Sequence, residues 1–293
     1  MSQYPIILIP PQIERIRSAQ PSAQPFSQLP PTSPQKLNFT LIAIELIIAV
    51  IISQATSIPV LLLIGAIAFQ SWYQIASYPE RKEQYKNQEY EYSEKLRLYK
   101  QEAEVAKSPQ RIAEWRYKQL LEVLRKTIPY DGNNGGAQRG TAEAQFGGHL
   151  NRYFPGKIYT RLTLNIPDFP YPYTPDFAYI DGKLNLYIDI EIDEPYAYHT
   201  KEPTHYVGAE KDNRRNNHFS DKGWIVIRFS EEQVVCYPHS CCKSIAGAIA
   251  QITGDSQSMR QFANTPDIQP ARQWTKYEAD EMAARGERNR YLR

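Results

Sequence analysis

One continuous apolar block, residues 37–78, constrains this chain more than any other feature. The block reads LNFTLIAIELIIAVIISQATSIPVLLLIGAIAFQSWYQIASY, and Glu45 is its one formally charged side chain. A helix needs about 20 apolar residues to cross a bilayer, so the block is long enough for two spans. Polar residues 53–57 interrupt it, and Pro59 follows, where the first turn of a second helix tolerates proline. The sequence therefore predicts a transmembrane helical hairpin with spans at 37–53 and 58–78.

The charges that flank the block predict its orientation. Lys36 precedes the block, Arg81, Lys82 and Lys86 follow it, and the connecting residues carry no charge. Because positively charged flanks remain in the cytoplasm, we expect a two-pass protein of the cell membrane with both termini and the globular part cytoplasmic. A buried hairpin inside a soluble fold is the alternative, but an unbroken apolar stretch without an amphipathic pattern favours the bilayer.

The remainder of the chain is polar and close to electroneutral. The 34 Lys+Arg and 32 Asp+Glu residues leave a formal net charge of +2, which excludes a uniformly polybasic protein. An apolar content of 42% excludes a wholly disordered chain. The cysteines Cys236, Cys241 and Cys242 are too few for a disulfide framework and poorly spaced for zinc. They predict a loop and buried thiols at the start of a helix.

Four segments surround the globular part of the sequence. Residues 1–36 are rich in proline, serine and glutamine, which predicts a disordered tail. Residues 79–130 predict a helical stalk of two helices, the second beginning at the Ser108-Pro109 start signal. This stalk is either a solvated spacer or a weak coiled coil that joins copies of the chain. Glycine-rich residues 131–140 predict a hinge, and residues 256–293 predict a C-terminal basic helix or tail.

Residues 140–255 have the pattern of a small α/β domain. The expected elements are a helix, three strands, a helix, a strand and a helix, at residues 141–154, 159–164, 174–180, 184–192, 206–221, 223–229 and 242–253. This order predicts a mixed central sheet flanked by helices.

Carboxylates are concentrated in the middle strands of this domain. Asp176 begins one strand, and Asp189, Glu191 and Asp193 alternate along the next, so these three project from one face. Acids this close together need water, basic partners or a cation. If the two strands are neighbours across the turn at 181–182, Asp176 approaches Glu191, and the pair suits Mg²⁺. A solvent-facing acidic strand edge is the alternative.

The acidic residues belong to a longer series that resembles a known family. In chain order the series is Glu143, Pro175-Asp176, Glu191-Ile192-Asp193, Asp212-Asn213-Arg214-Arg215 and Gly223-Trp224-Ile225-Val226-Ile227-Arg228-Phe229. Its order and spacing resemble the PD-(D/E)XK nuclease superfamily, and within it the very-short-patch-repair-endonuclease-like branch. The resemblance covers residues 140–252, less than half the chain. It implies a restriction-endonuclease-like fold that hydrolyses DNA with Mg²⁺ or Mn²⁺, with RNA as an alternative substrate.

The resemblance also implies a role for each residue. Asp176 and Glu191 would hold the metal ion, and Glu143 would complete its set of ligands. Arg214 and Arg215 would contact the phosphate backbone, an interaction that weakens with salt.

One position departs from the family pattern. Asp193 stands where the superfamily usually has the lysine that orients the attacking water, so Asp193 would instead add to the catalytic acids. Lys211 on the next helix could supply the amine, and His199 or His205 could act as a general acid or base near neutral pH. Two hypotheses follow: a membrane-anchored metal-dependent endonuclease, or a catalytically inactive nuclease-like domain that binds nucleic acid or protein at the membrane.

Ion pairing within the domain is an alternative role for several of these charges. Asp212 and Arg215 suit an ion pair between helix and sheet. Arg228, inside an apolar strand, suits a counter-charge to the acidic cluster. Either arrangement would stabilise the domain without touching a substrate.

Overall fold

The computed structural model describes residues 2–21, 25–56, 58–135, 140–167 and 170–292, and the chain divides into two compact units. The helical unit comprises Pro21–Ser108, and the globular unit comprises Met1–Gln20 together with Pro109–Arg293. The predicted stalk at 79–130 is therefore divided between the units, because its second helix packs into the globular core.

Residues 2–20 are folded into the globular unit, so the prediction of a disordered tail is wrong for this part. They form strands β1 (Gln3–Tyr4) and β2 (Ile6–Leu8) and helix α1 (Pro11–Ser18). Strand β2 pairs antiparallel with residues 226–228. The apolar run of β2 outweighs the neighbouring prolines, and a proline at the start of α1 is compatible with its first turn. Ile13 of α1 is buried in the main core.

Two helices that contact each other, α2 (Phe39–Ala55) and α3 (Val60–Ala106), make up most of the helical unit. Helix α3 continues through Pro79, so a span and a stalk helix that we predicted separately are one helix. A proline removes one backbone donor from the helix. Close to that point, Arg81 Nη2 donates a hydrogen bond to the Gln74 carbonyl oxygen at 3.0 Å.

Large apolar side chains cover the outside of the helical unit. Leu61 is 78% exposed and Phe39 is 77% exposed. By length and composition α3 can cross a membrane, whereas α2 is a shorter apolar helix of 17 residues. Contiguous apolar surface of this kind is unfavourable in water, which agrees with a membrane location.

Between residues 141 and 253 the elements follow the predicted order, with one additional short helix, Glu231–Cys236, before the last one. The helices of the globular unit after α1 are α4 (Pro109–Leu124), α5 (Thr141–Tyr153), α6 (Glu210–Asp221), α7 (Glu231–Cys236), α8 (Pro238–Thr253) and α9 (Lys276–Arg285). Its strands after β2 are β3 (Ile158–Tyr159), β4 (Phe177–Asp181), β5 (Leu186–Asp193), β6 (Ile225–Ser230) and β7 (Ala271–Arg272). Strand β3 is shorter than predicted, because Arg161 has a left-handed φ of 62° that ends extended pairing.

The central sheet is mixed, as predicted. Among the described residues its strand order is β2-β6-β5-β4-β3. Strands β5 and β6 are parallel with α6 between them in the chain, and the other neighbours are antiparallel. Strands β1 and β7 form a separate two-stranded sheet. The unpredicted N-terminal strand β2 therefore occupies one edge of the sheet.

Alternation along the strands divides their side chains between two faces. Ile188, Ile190 and Ile192 of β5 join the larger core, beneath α5 and α8. Val226 of β6 packs in the smaller core, with Phe219 of α6. The three acidic residues of β5 alternate with these isoleucines in sequence and therefore face α6.

The described part of the glycine-rich segment is paired to a loop, which contradicts the predicted hinge there. The Asp131 N–H donates to the Thr163 carbonyl oxygen at 2.8 Å, and Gly135 N–H donates to the Arg161 carbonyl oxygen at 2.9 Å. Residues 136–139 of the predicted hinge lie outside the described residues.

The C-terminal segment is packed onto the globular unit as a helix, as the sequence predicts. After α9, Arg288 is buried and donates two hydrogen bonds to the Glu231 carboxylate, at 2.6 and 2.7 Å. This arginine is consequently not part of an exposed basic tail. The prediction of buried thiols is confirmed for Cys241 and Cys242 in α8, whereas Cys236 is exposed.

Candidate functional site

The Asp176 and Glu191 side chains meet on the α6 face of the sheet, as the sequence predicts. The Ile192 N–H donates to Asp176 Oδ2 at 2.8 Å, and the Asp176 N–H donates to Glu191 Oε1 at 3.3 Å. Each carboxylate thus lies against the backbone of the other strand. Antiparallel pairing of β4 with β5 produces this approach, because Phe177 lies opposite Ile190.

The electrostatics of the pair are those of crowded carboxylates. Burial, together with the charges of Glu191 and Glu143, raises the pKa of Asp176 well above its usual range. Burial opposes ionisation of Glu191 as well, but the charge of Arg215 outweighs it and lowers the pKa of Glu191. The two acids therefore differ in their affinity for a proton, although they are neighbours.

Asp189 is a third carboxyl group on the same face. It is 0% exposed. Among the described residues, no donor makes a hydrogen bond to either of its oxygens when the group is ionised. Burial and then the charge of Glu191 raise its pKa well above the usual range. A protonated Asp189 can donate to Glu191, which removes the conflict between two adjacent buried charges.

Arg215 is the counter-charge of this acidic group. Its Nη2 donates to Glu191 Oε1 and, at 2.7 Å, to the Thr174 carbonyl oxygen. Its guanidinium also lies over the rings of Tyr173 and Phe219, at 5.6 and 5.5 Å from their centroids. We expected Arg215 to contact a phosphate backbone. Its position is largely buried, and its guanidinium already forms an ion pair with Glu191. The structural alternative, an ion pair between helix and sheet, is the one observed.

The other basic candidates on α6 are exposed. Arg214 and Lys211 both lie on the solvent side of the helix. No hydrogen bond or ion pair joins the Lys211 ammonium to the acids in the part of the chain that the structure describes. These two side chains are free to meet a ligand at the surface, but Lys211 does not substitute for the missing lysine in this arrangement.

Asp193 is held in a buried ion pair and is separate from the Asp176–Glu191 pair. Arg228 Nε donates to its Oδ2 at 2.9 Å, and Arg228 Nη2 donates to its Oδ1 at 2.6 Å. The Tyr4 hydroxyl also donates to Oδ2 at 2.9 Å. With both oxygens occupied, Asp193 contributes no metal ligand here, contrary to the expectation that it joins the catalytic acids. The prediction that Arg228 is a structural counter-charge is confirmed.

His205 and Asp212 complete this second cluster. His205 Nδ1 lies 3.1 Å from Asp212 Oδ1, and Arg228 Nη2 donates to the same oxygen at 3.3 Å. Burial disfavours the imidazolium, but Asp193 and Asp212 outweigh it and raise the pKa of His205 to about 9. The two carboxylates thus favour the imidazolium over the opposing charge of Arg228, whose Nη2 lies 3.0 Å from His205 Nδ1, and the ring does not face the Asp176–Glu191 pair. His199 is exposed in a loop beside Tyr198.

Glu143 is close enough to Asp176 to influence its charge, as the sequence order implies. Its Oε1 accepts a hydrogen bond from the Gly140 N–H at 3.2 Å, which caps the first turn of α5. The glutamate therefore has a local structural role in addition to its effect on Asp176.

Asp176 and Glu191 are the two carboxylates that a hard divalent cation could meet at this site. Among the described residues, no group of three or more histidine, cysteine or acidic side chains is arranged to hold a metal ion. Mg²⁺ nevertheless commonly binds through one or two carboxylates, with water and a phosphate as its other ligands. Burial raises the pKa of Asp176 first and the charges of Glu191 and Glu143 add to it, and a cation would oppose the part that is due to those charges.

Sequence reasoning missed Tyr4 and the ion pair of Glu231 with Arg288. Tyr4 is separated from Asp193 by 189 positions in the chain. The run of isoleucine and leucine after Tyr4 was a strand signal that could have located the segment in the sheet. No protein-family model matches the chain, and neither a curated protein nor a solved structure matches it.

Proposed function

We propose that the chain is a membrane-anchored, Mg²⁺-dependent endonuclease that hydrolyses DNA phosphodiester bonds. The observation that supports this proposal is the convergence of Asp176 and Glu191 on one face of a mixed sheet. The neighbouring helix α6 presents exposed Lys211 and Arg214, whose charges suit a polyanion.

Each residue has a distinct part in this proposal. Asp176 and Glu191 would hold Mg²⁺, or Mn²⁺, with Glu143 near enough to add a ligand or a bound water. When bound, the ion would polarise the phosphodiester and lower the pKa of a water molecule. Arg215 orients the Glu191 carboxylate and keeps it ionised, since its charge lowers the pKa of Glu191.

Plasmid nicking by the purified full chain in detergent tests the proposal. With Mg²⁺ or Mn²⁺, Asp176→Asn and Glu191→Gln should each reduce nicking at least about 100-fold, since electrostatic contributions at a reacting centre are of this order. Asp221→Asn, at the exposed end of α6, is the matched control and should retain activity. Circular dichroism would verify folding, and Asp176→Asn should preserve it, because burial already favours the neutral acid. Equal nicking by all four proteins would remove the pair from the mechanism.

The second candidate is a catalytically inactive nuclease-like domain that binds nucleic acid or protein at the membrane. The engagement of Glu191 by Arg215 and of Asp193 by Arg228 favours it, because both acids already have counter-charges. Under this hypothesis DNA or RNA would be retarded in a gel without cleavage in either metal. Its affinity would fall steeply with salt and would decrease in Arg214→Gln.

The membrane anchor is proposed to be a two-pass hairpin, α2 and the first part of α3, with both ends in the cytoplasm. The outward apolar side chains and the basic residues at Lys36, Arg81 and Lys82 support it. An impermeant maleimide should label native Cys236 only after cells are permeabilised, because Cys236 is the exposed thiol. A cysteine introduced at Thr56, in the connection between the helices, should be labelled in intact cells. The opposite pattern would reverse the orientation.

A further inference from the structure

A small polar pocket lies between the two helices of the helical unit, at the end of the apolar region nearest the charged flanks. The cavity measures about 150 Å³. Its polar side chains come from three places: the segment before α2, the middle of α2, and α3 on either side of Pro79. They are Gln35, Lys36, Asn38, Glu45, Gln70, Ser71, Gln74 and Arg81. Leu37, Leu41 and Ile42 supply its apolar wall.

Arg81 is the best-placed cation in the pocket. Its Nη2 is fixed by the Gln74 carbonyl oxygen, so the guanidinium is held towards the helix pair. Arg81 lines the pocket together with Lys36, and a guanidinium can donate to an anionic oxygen that enters it.

The charge balance of the pocket selects the class of ligand. Lys36 and Arg81 contribute two positive charges and Glu45 contributes one negative charge when it is ionised. The remaining single positive charge matches a ligand with one negative charge. The neutral amides and the Ser71 hydroxyl can bond to hydroxyl groups, so a phosphodiester that carries a glycerol or similar polyol fits the pocket best.

The surroundings favour a lipid over a free anion. Leu41, which lines the pocket, is 55% exposed, and Trp72 and Ile75 on α3 are 62% and 58% exposed. An acyl chain that continues from a bound headgroup would lie along this apolar surface. Basic pockets between membrane helices, close to the interface, are suited to anionic headgroups.

We propose that this pocket binds the headgroup of a singly anionic phospholipid of the phosphatidylglycerol type, with the phosphate against Arg81 and Lys36. This inference rests on the membrane location proposed above. It gives Arg81 a specific role in recognising one headgroup. General attraction between basic residues and an anionic bilayer would not require Arg81 in particular.

Native mass spectrometry of the detergent-purified full chain with short-chain lipids tests the proposal. Phosphatidylglycerol should bind at least fivefold more tightly than phosphatidylcholine, and Arg81→Gln and Lys36→Gln should each abolish this preference. Arg81→Lys should retain part of it. Lys82→Gln, which removes the neighbouring exposed charge on α3, is the matched control and should change binding less than twofold. Glu45→Gln should strengthen binding, because it removes the negative charge from the pocket.

Three results would overturn the proposal. One is equal binding of the two lipids, and another is equal loss in Arg81→Gln and Lys82→Gln. The third is full competition by soluble glycerol phosphate at the lipid's concentration, which would identify a free-anion site. Alkaline carbonate extraction of membranes distinguishes the two levels of inference. If carbonate removes the chain from the membrane, both the membrane location and the lipid site are refuted. If the chain is retained but shows no lipid preference, only the lipid site is refuted.

Discussion

Replacing Tyr4 with phenylalanine should destabilise the globular unit by about 2 kcal/mol. Tyr4 is 0% exposed, and its hydroxyl donates to Asp193 Oδ2 at 2.9 Å. Phenylalanine keeps the ring against Trp274, whose centroid is 5.3 Å away. The substitution therefore removes the hydroxyl and leaves the packing, so that the change in unfolding free energy measures the hydrogen bond.

The magnitude follows from what remains bound to Asp193. A hydrogen bond to a charged group contributes about 1.5–3 kcal/mol, and loss of one partner of a buried ion pair costs about 3–5 kcal/mol. In Tyr4→Phe, Asp193 Oδ2 still accepts from Arg228 Nε at 2.9 Å, so the carboxylate is not left unpaired. Tyr4→Phe should therefore lower the unfolding free energy by about 1.5–3 kcal/mol. Asp193→Ala leaves Arg228 buried without its counter-charge and should lower it by about 3–5 kcal/mol.

Urea unfolding of the full chain in detergent, followed by tryptophan fluorescence, measures both changes. Trp115, Trp224 and Trp274 lie in the globular unit, so the signal reports mainly on it. Tyr237→Phe is the control, since this ring is 56% exposed, and it should shift the unfolding free energy by less than about 0.5 kcal/mol. A Tyr4→Phe protein as stable as the control would refute the claim that the N-terminal segment holds Asp193 in place.

Three further outcomes are expected. The pKa of His205 is raised to about 9, so its stabilising charge is fully present below pH 6.5 and is lost as pH rises through 9. The unfolding free energy should fall by about 3 kcal/mol over that interval, and His205→Gln should remove the slope. An unchanged slope in His205→Gln would contradict this assignment. Ile188→Ala, in the fully buried centre of β5, should cost about 3 kcal/mol in urea unfolding, whereas Val207→Ala, at a 45% exposed position, should cost under about 1 kcal/mol; similar values would contradict the core assignment. Deletion of residues 39–78 should release the chain from membranes into the soluble fraction, as judged by immunoblotting, and continued retention would point to another anchor.

The sequence predicted the central elements of the sheet because their signals are local. The alternation along β5 and the apolar run of β6 each indicate a strand without reference to any other part of the chain. The approach of Asp176 to Glu191 was also predictable, since only a short turn separates β4 from β5 and makes them antiparallel neighbours.

The partners of the site charges could not be predicted in the same way. Asp193 lies 35 positions from Arg228 and 189 from Tyr4, and nothing in local periodicity specifies such contacts. Arg215 illustrates the difficulty most directly. On the sequence it is one of two adjacent arginines on a polar helix, but helical rotation directs it to Glu191 and leaves Arg214 in solvent.

Proline misled the prediction at the N-terminus and did not end the helix at Pro79. At the N-terminus, prolines flank β2 rather than interrupt its pairing, so they do not prevent a strand at the sheet edge. At Pro79, α3 continues although its backbone lacks one donor. The Arg81 contact with the Gln74 carbonyl provides a side-chain donor near that position. At the N-terminus the surrounding structure therefore overrides a local signal that is correct on average.

The charges on the α6 face explain how a sheet can bury so many acids. The buried or half-buried acids are Asp176, Asp189, Glu191, Asp193 and Asp212, and the cations that face them are Arg215, Arg228 and His205. The acids exceed the cations by two. Burial and neighbouring carboxylates raise the pKa values of Asp176 and Asp189 well above the usual range, so a proton on either acid lowers the cost of burying it. The excess of carboxyl groups is therefore confined to the end of the face where Asp176 meets Glu191, while the Asp193–Arg228 end is closed by its own partners. The proposed metal ligand Glu191 lies at the first end and the ion-paired Asp193 lies at the second, so two acids of strand β5 have different partners.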